Sequence, residues 1–188
     1  MIRGIVPFWS QKGKGKGQET RPKRTGMPSE HHEEVLARIG GLLSDEDDWV
    51  AAMATVVCEL HHAFDHFHWT GFYRTVRPEH LKIGPYQGGH GCLDIPFENG
   101  ICGAAARTKQ TQDVPDVHVR PEHIACSSST NSEVVVPVLA PSGDVIAVLD
   151  VDSDLPAAFS KDDVDLLETV CADLGRRYGP SVAINLNA

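Results

Sequence analysis

The chain has 188 residues, 41% hydrophobic and 23% charged, with a formal net charge of −9. These values predict one ordinary soluble domain with a proper core. The charge is divided unequally, because the first 25 residues hold seven Lys and Arg against one Glu, which leaves −15 on the remainder. An acidic body argues against nucleic acid as a partner and favours a ligand that carries a positive charge.

A basic extension, residues 1–27, precedes the predicted domain. Its Gly, Lys and Pro with little apolar content cannot offset the entropy lost on ordering, so we expect it to be disordered. Met1–Ser10 lacks an apolar run long enough for a signal peptide or a membrane span. A solvated extension is favoured over a weak transit peptide or a nuclear signal. The predicted domain covers residues 28–180, and residues 181–188 are predicted to be a C-terminal tail.

Four helices are predicted along the domain. Apolar residues repeat at helical spacing from Val35 to Leu43 and again from Trp49 to Phe64. A short Ala-rich helix is predicted at Ile101–Thr108. Ser160 and Asp163 have the spacing of a capping box, which predicts the start of a last helix.

Strand patterns lie between these helices. His68–Arg74 and Leu81–Tyr86 are predicted strands joined by a turn at Arg77–His80. A stronger signal is the pair of β-branched runs at 131–140 and 145–152 around a turn of Pro, Ser and Gly. Helices that flank a mostly antiparallel sheet predict a single α+β domain.

The second hairpin is predicted to bring three carboxylates together. A loop of two or four residues pairs Glu133 with Asp152 and Val135 with Asp150, so that all three acids share a face. Alternation of side chains also predicts Ile146 on that face. A three-residue loop would turn Glu133 to the opposite face. The alternative interpretation is that strand ends simply carry solvated acids.

The odd count of five cysteines without a secretory signal predicts a reducing compartment, the cytoplasm, and no structural disulfide. Cys58 and Cys171 lie in helical patterns and are predicted to be core residues. Cys92, Cys102 and Cys126 follow Gly or polar residues and are predicted to be accessible loop thiols. They could provide a nucleophile with resolving partners, a metal site, or small residues in tight turns.

A metal cofactor is not expected. No pair of cysteines has the Cys-x-x-Cys spacing of zinc sites. His62 and His66 are four residues apart, but the helix is predicted to end near Phe64, so the two imidazoles are not expected to share a helical face.

Seven segments, in order between about Asp45 and Leu174, together resemble the free methionine-(R)-sulfoxide reductases, small enzymes of the GAF-domain fold. The combination is more specific than any one segment. The segments are Trp69-Thr-Gly-Phe-Tyr73, Gly84-Pro-Tyr-Gln-Gly88, Gly100-Ile-Cys-Gly-Ala-Ala105, Asp113-Val-Pro-Asp-Val-His118, His123-Ile-Ala-Cys126, Asn131-Ser-Glu133 and Val148-Leu-Asp-Val-Asp-Ser153.

The resemblance implies roles for particular residues. Cys126 matches the nucleophile, and Cys92 and Cys102 match the cysteines from which the resolving partner is drawn. The implied substrate-binding residues are two aromatic residues and the three carboxylates: Trp69, Tyr73, Glu133, Asp150 and Asp152. The chain departs from the family pattern at Ser127, where an acid is usual, and at Phe97–Asn99, where a shorter glycine-rich turn is typical.

The implied activity is reduction of free L-methionine-(R)-sulfoxide to methionine through a cysteine sulfenic acid and an intramolecular disulfide. The resemblance also implies thioredoxin as the external reductant, no bound cofactor, and a possible homodimer. The alternative is a GAF module that binds a small ligand without catalysis or senses redox state. The three loop thiols and the acidic pocket count against that alternative, because an acidic pocket repels cyclic nucleotides. An inactive relative that serves as a binding partner is a third possibility.

Overall fold

The computed structural model describes residues 28–119 and 129–186. The predicted basic extension, residues 1–27, and the predicted nucleophile Cys126 lie outside the described residues. Within the described ranges the chain forms four α-helices, six β-strands and one short 3-10 helix. No helix there is long and apolar enough to cross a membrane.

The strands form one antiparallel sheet in the order β3-β2-β1-β6-β5-β4. The predicted α+β architecture of helices around an antiparallel sheet is therefore confirmed. In chain order the elements are α1 (Pro28–Leu42), α2 (Trp49–Ala63), β1 (Trp69–Arg77), β2 (His80–Gln87), β3 (Asp94–Pro96), α3 (Gly100–Thr108), β4 (Gln112–Val114), β5 (Ser132–Leu139), β6 (Val145–Ser153) and α4 (Lys161–Leu186), with the 3-10 helix at Val117–Val119.

The two faces of the sheet are covered differently. One face packs against α2 and α4, with α1 packed on those two helices, and the other face packs against α3. Alternation along β5 divides its side chains between the two, since Val134 and Val136 join the first core and Val135 joins the second. The second face therefore has less helix over it, and its acidic end borders a cavity.

Local capping explains where α2 and α4 begin. The Asp48 side chain accepts a hydrogen bond from the backbone N–H of Ala51 at 2.7 Å. At the start of α4, the Ser160 N–H donates to the Asp163 carboxylate at 2.7 Å, and the Asp163 N–H donates to Ser160 Oγ at 3.2 Å. This reciprocal pair is the predicted capping box, which satisfies helix donors that would otherwise lack partners.

The predicted register of the β5–β6 hairpin is confirmed, because Glu133 pairs with Asp152 and Val135 with Asp150. The prediction for Ile146 is wrong, since that side chain joins the core on the opposite face. The reason is a register shift beside the turn, where Leu139 pairs with Val145 instead of Ile146. An extra residue in one strand reverses the alternation at the bulge and leaves the register beyond it intact.

The prediction of a C-terminal tail at residues 181–188 is also wrong where the structure describes it. Helix α4 continues through Pro180 to Leu186. Proline forfeits one backbone hydrogen bond inside a helix. However, Tyr178 and Ala183 are both buried in the main core, so tertiary packing holds the last turns in place.

Candidate active site

A cavity of about 110 Å³ lies between the N-terminal end of α3 and the acidic end of the sheet. Strands β1, β3, β5 and β6 contribute to its wall, together with the residues just before β3 and β5. Six residues predicted as site residues line it: Tyr73, Cys92, Cys102, Glu133, Asp150 and Asp152.

A different and larger cavity would be chosen as the active site if volume were the only criterion. A cleft of about 710 Å³ lies at the opposite end of the sheet, between the β1–β2 turn and the end of α3. Its lining includes Arg77 and Arg107 but no cysteine. We assign the chemistry to the smaller cavity because it combines buried carboxylates with thiols.

Two carboxylates are almost fully buried at the cavity floor. Glu133 and Asp150 each expose 6% of their surface, whereas Asp152 is half-buried. A carboxylate oxygen from Glu133, another from Asp150 and the Cys102 sulfur all lie within 4.8 Å of one another. The hairpin register and the burial of this end of the sheet thus place like-charged groups close together.

Asp150 is incompletely satisfied. The Cys102 thiol donates a hydrogen bond to Asp150 Oδ2 at 3.3 Å. Its other oxygen, Oδ1, is buried and accepts no hydrogen bond from any residue in the described ranges. Burying a carboxylate oxygen without a hydrogen-bond donor costs free energy. Asp150 Oδ1 is therefore suited to accept a hydrogen bond from a ligand, or to bind a ligand that carries positive charge.

The crowding alters the protonation of the cluster. Burial raises the pKa of Asp150 to about 7, although hydrogen bonds with Cys102 and Glu133 favour its charged form. Burial raises the pKa of Asp152 as well; the charges of Asp150 and Asp154 add to that effect, and a hydrogen bond with Thr130 opposes it. The cluster therefore retains protons near neutral pH.

The same surroundings keep the neighbouring acids of the site neutral. Burial, followed by the charge of Asp150, raises the pKa of the Cys102 thiol well above its ordinary value. The same two causes, in the same order, raise the pKa of the Tyr73 hydroxyl. Cys102 thus stays a thiol and donates to Asp150, which does not suit it for nucleophilic attack.

The first turn of α3 borders the cavity. Asn99 occupies the N-cap position but makes no capping hydrogen bond through its side chain, and its own N–H donates to the carbonyl of Pro96 at 3.0 Å. Asn99, Gly100 and Ile101 all line the cavity. Gly100 has a φ of 67°, a conformation that favours glycine. The first N–H groups of a helix have no partner within it, and the positive end of the helix dipole lies here, so the start of α3 favours an anionic group beside the carboxylates.

The cysteines differ from the sequence predictions in two cases. Cys102 is a buried residue of α3 and not an accessible loop thiol, because the helix begins two residues before it. Cys58 was predicted in the core but is exposed on α2, where its sulfur lies 3.8 Å from His62 Nδ1. Cys171 is buried as predicted. Cys92 is half-buried and disulfide-bonded.

Trp69 is not among the residues that line the cavity. Its ring stacks against Tyr73 and Tyr86, with centroid distances of 5.8 Å and 5.5 Å. The indole Nε1–H donates to the carbonyl of Gly89 at 3.1 Å. The ring thus lies beneath the loop between β2 and β3.

Thr130 and Asp94 are among the cavity residues that were not predicted as site residues. Thr130 lines the cavity and hydrogen-bonds Asp152. Asp94 lies at its edge, 3.1 Å from His80 Nε2 and 3.5 Å from a guanidinium nitrogen of Arg77. No motif marks Thr130, but Asp94 follows Cys92 by two residues, and that proximity was an available signal.

One set of side chains in the described part of the chain has the spacing of a metal site, namely Cys102, Glu133 and Asp150. The same three groups already form the hydrogen-bonded floor of the cavity. A positively charged group of any kind, metal or organic, would relieve the repulsion between their charges.

Residues 46–177 match the family model of the GAF domain. The chain is 38% identical over 142 residues to the free methionine-R-sulfoxide reductase of Saccharomyces cerevisiae, covering 72% of this chain and 79% of that protein. The structure of free methionine-R-sulfoxide reductase from Neisseria meningitidis in complex with its substrate is 39% identical, with a TM-score of 0.78, covering 86% of this chain and 96% of that one. A putative GAF sensor protein from Burkholderia vietnamiensis is 35% identical, with a TM-score of 0.78, covering 84% of this chain and 99% of that one.

Proposed function

The chain belongs to the GAF domain family, and we propose that it reduces free L-methionine-(R)-sulfoxide to methionine. The observation that carries this proposal is the cavity whose floor holds the buried carboxylates Glu133 and Asp150 beside the thiol of Cys102 and near Cys92. The names of the yeast and Neisseria relatives support the choice of substrate.

The cavity suits a zwitterion. The substrate ammonium would occupy the space beside Asp150 Oδ1, the buried oxygen that accepts no hydrogen bond from the described residues. Its carboxylate would accept hydrogen bonds from the backbone at the start of α3, where Gly100 and Ile101 line the cavity. A methionine sulfoxide residue within a protein chain has neither charge, which explains selectivity for the free amino acid.

In the first step we assign the attack to Cys126. Its thiolate attacks the sulfoxide sulfur, a carboxyl group of the cluster protonates the oxygen, and that oxygen passes to Cys126 as a sulfenic acid while methionine leaves. The sulfoxide gains two electrons and the thiol loses them. Asp150 suits the role of proton donor because burial raises its pKa to about 7, so the carboxyl group can hold a proton near neutral pH.

In the second step we assign resolution to Cys92. Its thiol attacks the Cys126 sulfenic acid, forms a disulfide and releases water. Two observations support Cys92 over Cys102: Cys92 is disulfide-bonded, and Cys102 is a free thiol buried against Asp150. A thioredoxin dithiol would then reduce the disulfide by exchange, and no bound cofactor is required.

The second candidate function is a GAF module that binds a small ligand or reports redox state. The similar structure from Burkholderia vietnamiensis, whose name describes a putative sensor, favours it. Such a module would bind methionine sulfoxide or another cation without consuming it.

The test is methionine release from each purified sulfoxide epimer with a thioredoxin system. We expect the wild type to turn over the R epimer alone, Cys126→Ser to be inactive, and Cys58→Ser to retain full activity because that thiol is exposed on α2, a helix that does not line the cavity. Absence of turnover by the wild type would favour the ligand-binding module.

Analogues test the zwitterion model separately. N-acetylation removes the ammonium and amidation removes the carboxylate of the sulfoxide. We expect each change to lower kcat/KM at least tenfold, because each leaves buried groups of the cavity without a partner. Equal turnover of the doubly blocked analogue would contradict this binding mode.

A further inference from the structure

The loop between β2 and β3 packs against the ring of Trp69. Trp69 is the first residue of β1 and exposes 6% of its surface. The buried Tyr73 and the exposed Tyr86 both stack against the indole. The ring is therefore held in one orientation, and the loop crosses its edge.

Glycines allow this close approach. A Cβ at Gly88 would lie 2.8 Å from Trp69 Cδ1, and a Cβ at Gly91 would lie 2.9 Å from Trp69 Cζ2 and 2.8 Å from the Tyr73 hydroxyl. Between them, the Gly89 carbonyl accepts the indole N–H at 3.1 Å. A Cβ at Gly89 would meet nothing within 4 Å. The loop thus touches the indole at three successive places.

Cys92 directly follows residues 88–91, which contact the indole. On its other side, the carbonyl of Leu93 accepts a hydrogen bond from the Ile83 N–H at 3.2 Å, and Asp94 forms ion pairs with β2 at His80 and Lys82. Cys92 therefore lies between two fixed points of the chain. The residues after it contact strand β2, and the residues before it contact the indole of Trp69. The structure has this arrangement while Cys92 is disulfide-bonded.

We propose that Trp69 is a positioning residue for the resolving thiol: its ring and N–H hold residues 88–91 so that Cys92 reaches the cysteine with which it forms a disulfide. The step served is the one in which the Cys92 thiol displaces water from a cysteine sulfenic acid, so the inference rests on the proposed function. The contacts of the ring with the loop, which are the hydrogen bond to Gly89 and the close approach of Gly88 and Gly91, support this inference.

Two matched pairs of variants test the inference. Gly91→Ala introduces a Cβ where the indole and the Tyr73 hydroxyl lie, and Gly89→Ala makes the same change in open space. Trp69→Phe removes the hydrogen bond to Gly89, and Trp49→Phe changes a tryptophan that packs on Phe72 and Tyr178 in the other core. The alanine pair keeps the test valid if Trp69→Phe folds poorly.

The first measurement is the reduction potential of the Cys92 disulfide, by equilibration with glutathione or dithiothreitol buffers and alkylation of free thiols. We expect Gly91→Ala and Trp69→Phe to lower the equilibrium constant for disulfide formation about tenfold, which is about 30 mV for a two-electron couple. Gly89→Ala and Trp49→Phe should stay within about twofold of the wild type. Unchanged potentials in both loop variants would overturn the inference.

The second measurement follows one equivalent of sulfoxide in a single turnover. We expect the sulfenic acid, captured with dimedone after methionine release, to persist about tenfold longer in Trp69→Phe and in Gly91→Ala than in the wild type. A raised KM with normal resolution would assign Trp69 to substrate binding and overturn the inference. If the wild type reduces no sulfoxide but the potentials shift as expected, the proposed function fails and the role of Trp69 in disulfide formation stands.

Discussion

Two buried carboxylates, Asp163 and Asp150, show how their partners decide what a buried acid does. Asp163 exposes 2% of its surface and contacts His32 Nε2 at 2.9 Å, His66 Nε2 at 3.3 Å and the N–H of Ser160 at 2.7 Å. Asp150 exposes 6% and has a thiol as its donor and another carboxyl group as its neighbour.

The electrostatic outcomes are opposite. Although burial alone would raise it, hydrogen bonds with His66, His32 and Ser160 hold the pKa of Asp163 far below its ordinary value. Burial raises the pKa of Asp150 to about 7. Asp163 connects α1, the segment between α2 and β1, and α4 as a satisfied anion, whereas Asp150 has one buried oxygen that accepts no hydrogen bond from the described residues. The partners of a buried acid, and not its depth of burial, thus determine whether the acid is fully satisfied within the fold.

The largest expected effect comes from neutralising the cavity acids. Asp150→Asn and Glu133→Gln should each lower kcat/KM for the sulfoxide about 10²- to 10³-fold, because an amide neither holds the substrate ammonium nor donates an acidic proton. Steady-state kinetics measure the loss, and thermal unfolding should show no loss of stability. Asp65→Asn is the control, since this exposed acid lies outside the cavity. A loss of activity that merely follows unfolding would remove the contrast with Asp163.

Asp163→Asn should have the reverse pattern. We expect it to lower the free energy of unfolding by about 2–4 kcal/mol, because the capping box and two imidazole contacts lose their anion. Activity per folded molecule should change less than twofold. Denaturant titration of the variant beside the wild type, with kinetics well below the midpoint, gives both numbers. Severe loss of activity in fully folded protein would place Asp163 in the catalytic machinery.

The two acids should also give pH dependences of opposite sign. Asp163 has a lowered pKa in the fold, so its contribution is complete above its unfolded value of about 3.9 and disappears as pH falls through the folded value. Asp150 has a raised pKa, so its contribution is complete below about 3.9 and is lost as pH rises through about 7.

Stability measured from pH 4 to 8 checks this difference. Relative to the wild type, Asp150→Asn should be more stable at pH 8 than at pH 5, and Asp163→Asn should keep a constant deficit over that range. Parallel curves for the two variants would show that the two sites are electrostatically alike after all.

The smallest effect is expected at Cys102. Cys102→Ala removes the hydrogen bond to Asp150 Oδ2 but leaves Cys92 in place, so thioredoxin-dependent turnover should fall less than about tenfold. Cys92→Ser should stop after one turnover in the same assay. If Cys102→Ala also stopped after one turnover, the resolving role would pass to Cys102.

Sequence patterns predicted the features that depend on neighbours in the chain. β-Branched runs around a short turn were enough to pair Glu133 with Asp152, and spacing was enough for the Ser160–Asp163 capping box. The bulge beside Leu139 was not predictable in the same way, because it depends on how two strands twist together. That bulge turned Ile146 to the other face while leaving the acids where the pattern placed them.

The sequence by itself therefore determined the α+β class, the hairpin register and the identity of the acids that meet, since these follow from short-range periodicity. Only the tertiary structure decided that Cys102 is buried against Asp150, that Asp163 contacts His32 far along the chain, and that Trp69 hydrogen-bonds the loop that precedes Cys92. Each of these contacts joins segments whose approach is governed by packing of the whole core. No local pattern encodes which distant side chain will satisfy a buried group. The distant partners are what distinguish Asp163, which is satisfied, from Asp150, which is not.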